Sequence, residues 1–145
     1  MKLSREEYRK AEGCLKRFDY NSATILFKRN DIFGLSAIKY SDAPKAKNVT
    51  SDTVLRSIIS LEEDKEYQKA VKEYKAVDLA KMIVNKDCLV IFEELYRKKN
   101  GKYKIMYENG FSEATYKRRK QELIYTVNAE LKKCEKKWAD FELFI

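Results

Sequence analysis

Four cations follow one another from Lys117 to Lys120 inside the run G-F-S-E-A-T-Y-K-R-R-K-Q, Gly110 to Gln121. Arginine and lysine can donate to guanine O6 and N7, and glutamine can pair with an adenine edge. With Tyr116 turned inward as an anchor, the helical period puts Ala114, Lys117, Arg118, Gln121 and Tyr125 on the opposite side. Ala114, Lys117, Arg118 and Gln121 then stand in the first turns, where a recognition helix reads base edges. Ala114 is small enough to touch a thymine methyl. Ser112, Thr115 and Arg119 flank that row and suit phosphate oxygens. Lys98, Lys99, Lys102 and Lys104 precede or open the helix before it, where they would clamp a sugar-phosphate backbone and set register.

The elements that must position these residues are legible as punctuation. Gly110 can take the left-handed backbone that stops one helix, and Ser112 can cap the next by accepting a backbone N–H bond. Lys102 to Asn109 reads as a short helix with Ile105 and Met106 inward, after the Asn100-Gly101 turn signal. Short helix, tight turn and cationic helix together make the grammar of a helix-turn-helix whose second helix approaches DNA. Met106 stands where a small residue usually lets the two helices approach. Asn109 precedes the turn where an apolar residue is common. The competing reading is the solvated end of a long bundle helix.

That last helix continues far past the motif. Tyr116, Lys120, Leu123, Val127, Leu131, Cys134, Trp138 and Phe141 lie close to one line at the helical period. The stripe is expected to pack against the N-terminal helices, with packing against a second copy of the chain as the alternative. Upstream, Ser4 with Glu7 matches a capping box opening a helix to about Asp19 that carries Tyr8, Ala11, Leu15 and Phe18. A second helix is expected from Asn21 or Ser22, carrying Ile25, Ile32, Leu35 and Ile38. Tyr40 to Ser51 is a loop with the only proline. A long central helix should run from Asp52 to about Val84, with a charged, solvated middle at Glu62 to Glu66 where it can break. After a break at Asn85 to Asp87, Cys88, Leu89, Phe92, Leu95 and Tyr96 mark a short amphipathic helix. The expectation is an all-α fold: an N-terminal helical bundle with a long central helix over residues 1–84, and a C-terminal helix-turn-helix region with an extended last helix over 85–145.

Composition agrees with that class. The chain of 145 residues is 44% apolar and 37% charged, with four Gly and one Pro, which favours helices around one modest core. Its 31 Lys and Arg exceed 23 Asp and Glu, for a net charge of +8. The excess is concentrated: from Tyr96 to Lys120, nine cations (Arg97, Lys98, Lys99, Lys102, Lys104 and Lys117 to Lys120) face two anions, Glu108 and Glu113. A polyanion partner rewards such a bias through counterion release; a generally lysine-rich proteome is the bland alternative. With no His and three scattered cysteines, Cys14, Cys88 and Cys134, metal-ligand spacing is absent, and reduced, buried thiols in a cytoplasm are expected. No apolar run has membrane-spanning length. No Gly-rich phosphate loop or nucleophile with a neighbouring base argues for an enzyme, and no cofactor is expected.

In layout, and in two short elements, the chain resembles phage late-gene transcriptional regulators of the RinA/ArpU type and their sigma-factor-like relatives. Those elements are Ser51-Asp52-Thr53, lacking the proline often found there, and the turn followed by Ser112, Thr115, Tyr116, Arg119 and Lys120. The resemblance implies a small helical activator of phage late genes, promoter DNA as ligand, and RNA polymerase as partner through a motif like region four of sigma factors. Double-stranded DNA is thus the expected partner of a monomer or homodimer. Two other functions fit parts of the pattern. The small subunit of a phage terminase would bind packaging-site DNA as a ring, and a helical protein–protein adaptor would dock through the C-terminal stripe and Trp138.

Overall fold

The computed structural model describes the backbone of residues 3–33 and 51–143, and the side chains of 3–31, 55–56 and 58–136. Among the described residues the protein is all-α, with seven helices and no strand: α1 Arg5–Lys16, α2 Phe18–Phe33, α3 Ser51–Glu63, α4 Lys65–Ile83, α5 Lys86–Ile91, α6 Lys102–Asn109 and α7 Glu113–Leu143. Helix α5 runs directly into a π-helical turn, Phe92–Arg97. No described helix is long and apolar enough to cross a membrane.

Local chemistry sets most of the boundaries. The Ser4 hydroxyl accepts from the Glu7 N–H at 3.2 Å, which starts α1 as a capping box should. The Asp64 carboxylate accepts from the Tyr67 N–H at 3.1 Å, and the Asn85 side chain accepts from the Cys88 N–H at 3.1 Å. These two caps satisfy orphan donors at the starts of α4 and α5. Asp64 therefore breaks the long central helix in its charged middle, where the sequence reading allowed a break, into α3 and α4. The second helix also starts earlier than Asn21, at Phe18, after a single non-helical residue, Arg17. Most of the loop from Tyr40, together with Leu35 and Ile38, lies outside the described residues. So do the side chains of Ile32, Ser51-Asp52-Thr53, Trp138 and Phe141.

The chain divides into two compact units, Met1–Asp19 with Lys72–Ile145, and Tyr20–Val71. In the first, α1 and the apolar stripe of α7 share one core: Ala11, Cys14, Leu15 and Phe18 pack with Ala76, Val77, Ala80, Cys88, Phe92 and Tyr96, and with Leu123, Ile124, Val127 and Leu131. Three alanines let the helices approach, and Phe18 fills the gap, stacked on Tyr74 at 4.8 Å and edge-on to Phe92 at 5.2 Å. The Arg17 guanidinium grips buried Glu73 with two bonds, of 2.8 and 3.1 Å. The expected internal packing of the α7 stripe is thus present as far as Leu131. In the second unit, Ile25 and Leu61 are buried. There Lys28 lies 2.9 Å from Asp64 and 3.4 Å from Glu66, and Arg29 donates to the Tyr67 hydroxyl at 2.9 Å.

Candidate nucleic-acid interface

The first turns of α7 are held by a small separate cluster. Ile91, Ile105 and Tyr116 are buried together, with Leu95, Met106 and Phe111 against them. Met106, too large for close helix approach, serves here as partly buried filling. Asn109 is also accommodated, its side-chain amide donating to Glu94 at 2.7 Å and to the Ile105 carbonyl at 2.8 Å. Gly110 takes the left-handed backbone expected of it, φ 67°, and the Phe111 N–H returns to the Met106 carbonyl at 3.0 Å. Ser112 then accepts from the Thr115 N–H at 3.1 Å and donates to the Thr115 hydroxyl at 2.8 Å. The turn is built as its residues suggested.

With Tyr116 fixed inward, at 3% exposure, Ala114, Lys117, Arg118 and Gln121 are all solvent-exposed, on the opposite side of the helix. They form one contiguous row on a rigid element. The cations around them divide in two. Lys98, Lys99, Lys104 and Arg118 have no ion-pair partner among the described residues, and Lys98, Lys99 and Arg118 are exposed together with Lys104. The others are engaged internally. Glu113 receives Lys102 at 3.0 Å and Lys117 at 3.3 Å, and these two lysines hold its carboxyl below the ordinary value. Lys120 reaches Glu12 at 3.4 Å, and Arg97 is tied to Glu93 and Asp19, both at 3.1 Å.

Arg119 is the most committed. It contacts Glu122 at 3.0 and 3.3 Å, and its buried Nε lies 3.5 Å from Asp87 without making a hydrogen bond. Cys88 sits beside it, its thiol donating to the Arg119 carbonyl at 3.4 Å. Burial, with Glu122 nearby, pushes that thiol up to about 11. Cys14 is pushed up to about 12 by burial, Glu73 adding to it. Both behave as small core hydrophobes, as expected; Cys134 is half-buried.

Apart from Glu113, the sequence reading passed over the acids that neutralise half of the cluster. Three of these pairs are local: Glu93 with Arg97 and Glu113 with Lys117 at i,i+4, and Arg119 with Glu122 at i,i+3. Helical spacing could have found them. Lys102 with Glu113, Lys120 with Glu12 and Arg119 with Asp87 join different helices, and no spacing reveals them. It also passed over Tyr103 and Tyr107, which stand 77% and 90% exposed on the outward side of α6, separated by one helical turn and next to Lys104.

What fold and surface define is an all-α protein with an exposed polar and cationic row at the start of a long helix. No family model, curated protein or solved structure matches the chain.

Proposed function

We propose that the protein is a sequence-specific DNA-binding regulator in which α6, the Gly110 turn and the start of α7 act as a helix-turn-helix. The observation that carries the reading is the exposed row of Ala114, Lys117, Arg118 and Gln121, backed by the buried Tyr116 anchor. A recognition element needs base-reading groups on a face that does not collapse when it meets the duplex. Arg118 has the donors for guanine, Gln121 the pattern for adenine, and Ala114 leaves room for a thymine methyl. Lys98, Lys99 and Lys104 are the phosphate contacts most ready for use, with Ser112 and Thr115 at the N-terminus of α7. Lys102 and Lys117 reach phosphate by leaving Glu113, an exposed pairing of the kind that contributes little. Arg119, held by two acids, steadies the helix more than it contacts the ligand.

Activation of phage late genes, with RNA polymerase as partner, is the form of this function that the RinA/ArpU resemblance supports. A pull-down with polymerase that yields no signal removes that partner. Selection of bound sequences from random duplexes, with a Lys117/Arg118 double alanine as control, tests DNA reading itself. Arg118→Ala should cost about 1–3 kcal/mol at the selected site and relax the preference at one base pair. Identical footprints for the variant and the parent on selected and random DNA would refute base reading. Binding to a protein with no dependence on salt or on Lys117/Arg118 would point to the adaptor instead.

A further inference from the structure

On the flank of α7 away from Arg118, a cleft of about 480 Å³ is lined by Glu12 and Lys16 of α1, Leu95 and Tyr96 of the π-helical turn, Lys99, and Lys120. Lys120 is two residues on from Arg118 and therefore points to the other side of the helix. All six residues belong to one compact unit. We propose that this cleft is an anion site that binds a phosphate group through Lys16, Lys99 and Lys120.

Two lysines converge here on a single carboxylate, and a third, Lys99, lines the same cleft. Glu12 lies 3.4 Å from Lys120 and 3.6 Å from Lys16, and it accepts from the Tyr96 hydroxyl at 2.9 Å. It holds two ammonium groups in place while the lining keeps a positive excess. Preorganised lysines of this kind suit a compact, multiply charged oxyanion.

Lys99 adds an independent observation. Its φ is 59°, the only positive φ at a non-glycine residue among the described residues. It closes the π-helical turn, where the Lys98 N–H reaches the Glu93 carbonyl at 2.9 Å and the Asn100 N–H reaches the Glu94 carbonyl at 2.8 Å. A helix stop in this conformation ordinarily takes glycine. A lysine there is held against its backbone preference, has no ion pair among the described residues, and sets its ammonium-bearing chain on the wall of the cleft. The π-helical turn that supplies Leu95 and Tyr96 is itself a rare conformation found often at binding sites. The volume suits a ligand up to the size of a small nucleotide. The phosphate has two sources, a phosphorylated small molecule or the backbone of bound DNA.

The test is a titration of the full chain with orthophosphate and with adenosine 5′-monophosphate, potassium chloride holding the ionic strength constant. Amide resonances of Leu95, Tyr96 and Lys99 are followed, with melting temperature alongside. Saturable shifts are expected for both phosphate ligands. Lys99→Gly should weaken binding about tenfold without lowering the melting temperature, since glycine relieves the backbone. Lys16→Ala, at an exposed lysine, should weaken binding in the same direction. Arg118→Ala should leave it unchanged, so this result and the reading of DNA bases can fail separately. The proposal is overturned if the shifts equal those given by chloride alone, or if either cleft variant binds both ligands as the parent does. A selected duplex added at saturation identifies the source: displacement of the nucleotide assigns the cleft to DNA backbone, and simultaneous binding assigns it to a small phosphorylated ligand.

Discussion

On one side of α7, Ala114, Arg118 and Gln121 stand in solvent; on the other, Arg119 and Lys120 are drawn onto Glu122, Asp87 and Glu12. The two sides carry the same cations within one helical turn. The difference lies in what the neighbouring helices bring to each. Helices α1 and α5 present acids to the inner flank, so its charge is spent on holding α7 in place. No acid among the described residues reaches Arg118, so its donors remain for a partner. A dense cationic run is therefore two devices, a fastening and a contact surface, and the reading of bases falls to the second. The unpaired and outward cations are the ones whose removal should change salt-dependent binding.

The comparison breaks most completely where both sides lose their support. Ile105 is fully buried between Ile91 and Tyr116. Ile105→Ala leaves a cavity there and should cost about 2–5 kcal/mol in urea unfolding. DNA selectivity should fall with it, because α6 no longer fixes the turn. A variant of unchanged stability would mean that the Tyr116 anchor does not depend on α6.

The local parts of this arrangement were readable from residue order. Ser4, Ser112, Gly110 and the Tyr116 periodicity act within a few residues, and each does in the structure what its type and spacing suggested. The Asp64 cap was less visible, because a run of acids and lysines gives the same helical signal on both sides of it. The division between spent and available cations was not readable at all for Lys120. Its partner, Glu12, is over a hundred residues away, brought close by the packing of α1 on α7. Nor could periodicity show that one compact unit is assembled from Met1–Asp19 and Lys72–Ile145.

The inner flank can be tested through its own reporter. Replacing Arg119 by alanine removes the groups that cross between Glu122 and Asp87 and takes a positive charge from beside Cys88. The melting temperature should fall, and the Cys88 thiol, held up to about 11 in the parent while the Arg119 charge opposes that rise, should titrate higher still. The salt dependence of DNA binding should stay close to that of the parent. The opposite pattern, a full-strength fold with a shallower salt slope, would place Arg119 among the phosphate contacts.

Acid separates the two sides more gently. Glu7 is lowered from 4.5 to about 2, chiefly by Lys132 and then Ser4. Glu135 is lowered, chiefly by Lys10. Burial pushes Glu12 up, but the Tyr96 hydroxyl and then Lys120 and Lys16 more than reverse it, so it too is lowered. In each case the unfolded chain takes up the proton first. These groups therefore stabilise the fold fully above about pH 4.5, and the contribution is lost as pH falls toward 2. The melting temperature should decline through that window, and lysine-to-glutamine exchange at Lys132 should flatten the decline. A profile level from pH 5 to 3 would show that the acids on α1 do not fasten α7.

The finest adjustment falls on Glu113, the one acid on the outward end of α7. It receives both Lys102 and Lys117 from positions that the proposed DNA contact needs. An exposed pairing adds little to the fold, so Glu113→Gln should barely move the melting temperature. The first turn of a helix favours an acid, and losing that charge opposes any gain in stability. For a polyanion ligand the balance reverses: two lysines are released and one repelling carboxylate disappears. DNA should bind more tightly at low salt, and the dependence of log affinity on log salt should steepen, by less than about two released counterions. If the slope stays the same, Lys102 and Lys117 lie outside the contact surface, and the available side of α7 shrinks to Arg118, Gln121 and Ala114.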